Sequence, residues 1–280
     1  MEVGPNPLGS AVPLESQWTA SRPACAGPPR LGRVHVIPAD PFPPFSQSGS
    51  HAIYRAFEII VALIGLVVGL PLILIAAIVI RLDSPGAALF RHKRPARSVC
   101  MRGCDLAGRP DLMPPSGGYR ADARYCVPAY FTLVKLRTMY ADARARFPEY
   151  YAYRYSRESF HSQFPTIRQD PRVTRAGRLL RRLSVDELPN LWSVVIGDMA
   201  LVGPRPEAPE VLQFYTPEEM VKFTVKPGIT GLAQISGRGL LTWGETLALD
   251  LEYVKTRGIA LDLKIVALTI QRVVARHGAF

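Results

Sequence analysis

Residues 59–80 read IIVALIGLVVGLPLILIAAIVI, and this run decides what kind of protein the chain forms. No charged or strongly polar side chain interrupts it. As a helix rising about 1.5 Å per residue it is about 33 Å long, close to the hydrocarbon thickness of a bilayer. A helix in a water-soluble core is rarely so long and so apolar on every side. The run is therefore read as a membrane anchor, bounded at 51–82. Pro71 lies just past its middle, two residues after Gly69. A proline there removes one helical hydrogen bond and crowds the preceding turn. Two topologies follow. A kinked helix could span the bilayer, since such helices tolerate proline. Alternatively, Pro71 breaks the helix and both ends leave by the same leaflet. Arg55 precedes the run, and Arg81, Arg91, Lys93, Arg94 and Arg97 follow it. Positive charge on both flanks suits a hairpin with both ends cytoplasmic, while the heavier downstream bias suits a span with its N-terminus outside.

Upstream, residues 1–50 are rich in Pro, Gly and Ser and show no hydrophobic period, so a disordered tail is expected. They lack the basic-then-apolar layout of a secretion signal. Downstream, residues 83–280 form a catalytic domain of mixed α+β class, mainly helical with a small sheet. Residues 131–139, FTLVKLRTM, alternate and predict a short strand. Helix is expected over 140–160, 172–196, 208–224 and 245–277. The last of these is read either as packed on the core or as lying on the membrane. A basic stretch within 91–130, rich in Gly and Pro, reads as a loop excursion.

Lys and Arg number 34 against 23 Asp and Glu, a net charge of +11. Such a surplus favours an anionic partner: nucleic acid, acidic lipid or a phosphorylated substrate. The four cysteines, Cys25, Cys100, Cys104 and Cys126, have irregular spacing and do not predict a disulfide framework. Cys100, Cys104 and Cys126 with His92 could ligate zinc, but no tight pair of metal-ligand spacing is present, and reduced, unpaired thiols are expected.

The densest chemistry is DPRVTRAGRLLRRLSVDELPNLWSVVIGDMALVGPRPE, residues 170–207. Arg172, Arg175, Arg178, Arg181 and Arg182 recur at spacings that put several on one helical face. Arginine binds phosphate oxygens bidentately, so the face suits a phosphate-rich substrate, although a solvated surface has the same pattern. Ser184-Val185-Asp186-Glu187 then reads in two ways. It is a capping box, with Ser184 at the start of a helix and Glu187 reaching back. It is also a place where a helix N-terminus would keep Asp186 ionised as a nucleophile, with Glu187 to hold a cation or handle a proton. Gly203-Pro204-Arg205-Pro206-Glu207 presents one arginine on a rigid turn. The glycine-rich loops from Lys226 to Gly231 and Ser236 to Gly239 resemble phosphate cradles.

Together these stretches resemble the bacterial sugar transferase family, the monotopic phosphoglycosyl transferases that start glycan assembly on polyprenol phosphate. The likeness runs from residue 54 to about 271. It rests on the proline-centred apolar run, Arg81-Leu82-Asp83-Ser84-Pro85-Gly86, Lys135-Leu136-Arg137-Thr138-Met139, residues 170–207, Lys226 to Arg238, and Leu249-Asp250-x-x-Tyr253-Val254. It implies that Asp186 and Glu187 are the catalytic acids and hold Mg2+. Asp186 would attack the β-phosphorus of a UDP-sugar, and undecaprenyl phosphate would take the phosphosugar from it. Lys135, Arg137, Arg181, Arg205, Arg238 and Asp250 would bind substrate. The anchor would be re-entrant, with Pro71 as the break, and the domain would face the cytoplasm at the bacterial inner membrane. Expected partners are the UDP-sugar, undecaprenyl phosphate and anionic lipid, with a homo-oligomer left open and no nucleic acid.

The chain departs from the family pattern in two places. Leu70 stands where the family often has serine before the anchor proline. Between Arg94 and Phe131 the chain is longer than usual, an insertion at about 96–129 that holds three of the cysteines. Two other classes remain as alternatives. An inactive scaffold of a glycan assembly complex would need no intact acid pair. A membrane-tethered nucleic-acid-binding protein would explain the charge but not those acids, and no nucleic-acid motif is present.

Overall fold

In a computed structural model of the chain, residues 33–39, 49–153, 155–163, 169–237 and 239–274 are described. They belong to one compact unit, Leu31–Phe280. In chain order the strands and helices are β1 (Val34–His35), β2 (Ile37–Pro38), α1 (Gly49–Asp83), β3 (Leu89–Pro95), β4 (Val99–Arg102), α2 (Gly103–Leu106), β5 (Leu112–Met113), β6 (Arg124–Val127), β7 (Tyr130–Leu136), α3 (Ala143–Arg146), α4 (Arg157–His161), α5 (Arg175–Leu183), α6 (Leu191–Ile196), β8 (Ala200–Val202), β9 (Gly228–Thr230), α7 (Leu232–Gly237), α8 (Trp243–Thr256) and α9 (Ile259–Val274). The α+β, mainly helical expectation holds, but the sheet is several small ones. The β3–β7 pair is antiparallel and β8–β9 is parallel; β2, β6 and β4 form a third sheet, and β1 pairs with β5.

Helix α1 is long and apolar enough to cross a membrane. It does not break at Pro71: helical structure runs through it without interruption. Proline removes only one donor from the ladder, and close packing in the two turns before it supports the backbone. A methyl group on Gly65 would come within 2.8 Å of Leu191, and one on Gly69 within 3.1 Å of Leu188. The helix also carries polar tethers at both ends. Glu58 Oε1 accepts the Leu201 N–H at 2.8 Å, and Arg55 donates to the Val194 carbonyl. At the far end, Asp83 Oδ2 accepts the Ala176 N–H at 3.1 Å, in the first turn of α5. Between the tethers Ala62, Ala76 and Ile80 are buried, while Ile64, Val67, Val68, Ile75 and Ile78 face outward.

Three clusters make the core. One lies under α1 and joins Phe131, Leu133, Val194, Met199, Leu201, Tyr253 and Ile265. A smaller one joins Ala76 and Ile80 to Leu136 and Leu180. The third corrects two expectations. Residues 33–39, read as disordered tail, form β1 and β2 and bury Val34, Val36 and Ile37. The supposed loop excursion supplies their partners: β5 pairs with β1, and β6 with β2. Each segment has too few apolar residues to fold alone; together they cover Tyr215, Phe223 and Trp243. The other residues of the expected tail lie outside the described residues.

Two helical expectations also need correction. Over 140–160 only short turns form, because Pro148 interrupts the pattern and Arg144, Arg146 and Arg172 stack on Tyr151, Tyr140 and Tyr150 instead. Over 208–224 the chain makes two 3-10 segments, Pro209–Phe214 and Glu219–Thr224, separated by Pro217. A 3-10 turn repeats at about three residues, close enough to the α period that apolar spacing does not separate them.

Candidate active site

Strand β7 and the segment after α5 build the polar centre. On β7, Phe131 and Leu133 point into the core and Lys135 continues the same face. Helix α5 starts at Thr174, whose hydroxyl accepts the Gly177 N–H, and ends at Ser184 in the left-handed region, φ 57°. Gly177 is required there: a Cβ would lie 2.0 Å from the Thr138 carbonyl oxygen, so only glycine lets α5 press against the end of β7. Residues Val185–Asn190 then form a 3-10 segment that carries Asp186 and Glu187 beside β7. Ser184 closes α5 rather than opening a helix, and it makes no side-chain cap to the segment that follows. The capping-box expectation is thus corrected. Glu187 turns its carboxylate to Lys135 and Asn190 instead.

Glu187 Oε1 accepts from the Lys135 ammonium, and Oε2 accepts from Asn190 Nδ2 at 2.6 Å. Asn190 is buried, and its own carbonyl accepts the Val134 N–H at 3.2 Å, which locks the acid segment to β7. Arg205 Nη2 stands 3.8 Å from Glu187 Oε1. Arg181 Nε donates to Thr138 Oγ1 at 3.0 Å, and its charge reaches Asp186. Arg172 and Asp170 pair through two nitrogens and both carboxylate oxygens, at 2.8–3.2 Å. The structure therefore brings Lys135, Arg181, Arg205, Asp186 and Glu187 together.

The two acids titrate in opposite directions. Asp186 is pushed up to about 6 by burial and by the negative charge of Glu187, against the pull of Lys135, Arg181 and Arg205. Burial also acts against ionised Glu187, but Lys135, Arg205 and the bond from Asn190 outweigh it and hold Glu187 at about 2. The expected lowering of Asp186 by a helix N-terminus is corrected: the six-residue 3-10 segment offers a weak dipole and desolvation wins, although at about 6 the acid is still mostly ionised at neutral pH. Burial lowers Lys135 and Arg181 as well.

The remaining expected site residues are placed differently. Arg137 is buried and donates to the carbonyls of Pro85 at 2.6 Å and Ser84 at 2.7 Å. It satisfies the carbonyls at the C-terminal end of α1, a structural use. Asp250 is fully buried and paired with Lys222 at 2.8 Å. Arg238 lies outside the described residues. Cys100, Cys104 and Cys126 are free thiols, and no group of three metal-ligating side chains occurs among the described residues.

Three side chains near the centre escaped the sequence reading. Asn190 follows Glu187 by three residues, a spacing that was the available clue. Arg94 reads from the sequence only as a flanking charge, yet it sits with Arg205 and Glu207, and its Nε is buried without a partner among the described residues. Lys222 gave no local signal.

An outward-facing apolar helix is docked on a domain whose centre is an acid pair ringed by basic side chains, an arrangement suited to a membrane-associated enzyme of phosphorylated substrates. The sequence profile described as bacterial sugar transferase matches residues 49–100 and 123–276, and the chain belongs to that family. The unmatched gap falls inside the insertion. Among relatives, an undecaprenyl-phosphate glucose phosphotransferase of Komagataeibacter xylinus is 36% identical over 81% of this chain and 36% of its own length. A UDP-glucose:undecaprenyl-phosphate glucose-1-phosphate transferase of Caulobacter vibrioides is 34% identical over 81% of this chain and 71% of its own. The exopolysaccharide production protein ExoY of Rhizobium meliloti is 28% identical over 81% of this chain and 87% of its own. The chain thus spans little more than a third of the Komagataeibacter relative.

Proposed function

We propose that this enzyme transfers a sugar 1-phosphate from a UDP-sugar to undecaprenyl phosphate, the initiating membrane step of exopolysaccharide assembly. The observation that carries this reading is the division of labour between the acids. Glu187 is ion-paired to Lys135 and accepts a hydrogen bond from Asn190, whereas Asp186 is buried next to it within reach of Arg181 and Arg205 charge. In the first step an Asp186 carboxylate oxygen attacks the β-phosphorus, the bond to the bridging oxygen breaks, and UMP leaves with the electron pair. In the second step a phosphate oxygen of undecaprenyl phosphate attacks the same phosphorus. The aspartyl–phosphorus bond breaks, giving the lipid diphosphosugar and restoring the carboxylate. Lys135, Arg181 and Arg205 neutralise the charge that spreads over the phosphoryl oxygens. Arg94, with its unpaired Nε, is a further donor for the diphosphate.

Adjacent buried carboxylates, with Asp186 raised by burial and by the charge of Glu187, suit a divalent cation. Mg2+ commonly takes one or two carboxylates and completes its shell with water and phosphate oxygens, so Asp186 and Glu187 fit it. When bound there, it would supply Lewis-acid neutralisation of the diphosphate.

Both ends of the unbroken helix α1 are tied to one domain, which supports an anchor held along one face of the bilayer. A helix crossing at right angles would part its ends by the full bilayer. Trp192 and Ile196 of α6 and Leu179 and Leu183 of α5 are exposed alongside α1 and extend the apolar surface. With the basic flanks, this supports a catalytic domain seated on the cytoplasmic face of the inner membrane. The decisive experiment measures UMP release and covalent labelling from UDP-sugars with purified enzyme and Asp186→Asn. Label and turnover in that variant equal to the parent would sink the nucleophile assignment.

A further inference from the structure

Lys222 lies in the 3-10 segment Glu219–Thr224 and is 2% exposed. Its Nζ stands 2.8 Å from Glu207 Oε1, 2.8 Å from Asp250 Oδ2 and 3.1 Å from the Tyr215 hydroxyl. The Tyr215 and Trp243 rings lie 5.7 and 5.9 Å from it. The ammonium donates to Glu207 and Tyr215 and forms an ion pair with Asp250. The acceptors come from different segments. Glu207 ends the Gly203–Glu207 turn, Tyr215 follows the 3-10 segment Pro209–Phe214, and Asp250 belongs to α8.

This arrangement is a poor way to gain stability. Two carboxylates share one ammonium, and Asp250 Oδ1 is buried with no partner. Burying such a cluster commonly costs more than an apolar replacement of the same shape. What the cluster does fix is geometry. Glu207 is two residues from Arg205, and Pro204 and Pro206 leave the backbone between them little freedom. The other side of the turn is held by backbone: Gly203 N–H donates to the Thr230 carbonyl at 2.9 Å, and Gly228 N–H donates to the Pro204 carbonyl at 2.9 Å. A Cβ on Gly228 would fall 2.1 Å from Gly203 N, so that contact needs glycine. Held on one side by β9 and on the other by Lys222, the turn aims Arg205 at Glu187.

We infer that Lys222 is a positioning residue for the transfer reaction: by clamping Glu207 to Asp250 it sets where the Arg205 guanidinium meets the nucleotide diphosphate. The inference rests on the phosphosugar-transfer reading of the site. It assigns Asp250 an indirect role, through Lys222, in place of direct contact with substrate.

A double-mutant cycle between Lys222→Met and Arg205→Ala tests this on the full-length enzyme in detergent. UMP release and UDP affinity are both read, with thermal unfolding alongside. A misplacement near 1 Å can cost about 100-fold. Lys222→Met should lower kcat/KM and UDP affinity by about that factor when Arg205 is present, but less than about threefold when it is absent. Lys222→Arg should restore most of the loss. Losses that multiply through the cycle would overturn the inference, because a merely structural lysine weakens both backgrounds alike. If Lys222→Met does not fold, Glu207→Ala enters the same cycle, since it leaves Lys222 paired to Asp250 and removes the acceptor that links it to the turn. The same non-additivity is expected, and simple multiplication again overturns it. A parent enzyme that binds UDP but releases no UMP would refute the transfer reading, and the UDP cycle would still decide the role of Lys222.

Discussion

Lys135 donates to Glu187 and not to Asp186, although the two acids are neighbours in the chain. One cation thus keeps Glu187 ionised, and Glu187 in turn raises the proton affinity of Asp186. The pair behaves as a unit whose charge depends on what binds next to it.

The pH dependence of the free enzyme follows from this. Asp186 sits at about 6 and must lose its proton to attack phosphorus. Below about pH 6, kcat/KM should fall about tenfold per unit, whereas an ordinary aspartate would place that limb near pH 4. A divalent cation favours the ionised acid, so raising Mg2+ should move the limb to lower pH. Profiles recorded at low and high Mg2+ check both statements; a limb near pH 4 that ignores Mg2+ contradicts them.

Replacing Lys135 by methionine should do more than lower activity. Asp186 loses a positive neighbour, so its limb should move to higher pH, beyond about 6. Glu187 is left buried with Asn190 and Arg205 only. Adding Glu187→Gln removes that charge, and the limb should return downward. A pH profile of each variant reads this directly.

Arg137 should be a stability residue. Arg137→Ala leaves the carbonyls of Ser84 and Pro85 without their donor, at a cost of about 2–4 kcal/mol. Thermal unfolding in detergent should show the loss, while KM for the UDP-sugar stays within about twofold in the fraction that remains folded. A raised KM with unchanged stability would return Arg137 to the substrate-binding set.

Gly177→Ala should be as damaging as most core changes. Its Cβ would collide with the Thr138 carbonyl, at 2.0 Å, so α5 must shift and take Arg181 with it. A loss of about 3 kcal/mol or more is expected, together with reduced turnover. Alanine at this site with full stability would show that α5 is free to move.

Single cysteines at Ala52 and Ala87, in a background lacking the native thiols, should label from the same side in sealed vesicles. Both positions are exposed and flank the apolar part of α1. Labelling from opposite sides establishes a spanning helix.

The sequence was most readable where a property is local. An unbroken apolar run needs no partner to be recognised, and the acids at 186 and 187 stand out among arginines. The β7 strand was legible because alternation is carried by adjacent residues. What depended on distant pairing was not. Asn190 works by meeting Val134, and Lys222 by gathering residues from two other segments and a helix. Residues 33–39 look shapeless until the insertion meets them. Arg137 misled because its motif surrounds Lys135, while its side chain turns to the end of α1.

The tethers at Glu58 and Asp83 make the anchor a ruler and not a leash. About 40 Å of helical rise separates them, and the acid pair is bound to the middle of that length through Leu188 and Leu191. The reaction centre therefore keeps a fixed place along the helix and, with the proposed anchoring, a fixed depth relative to the lipid. A thicker or thinner bilayer cannot be absorbed by slack in a linker. It must tilt the whole enzyme or deform the leaflet, so turnover should track acyl-chain length even when substrate supply is held constant.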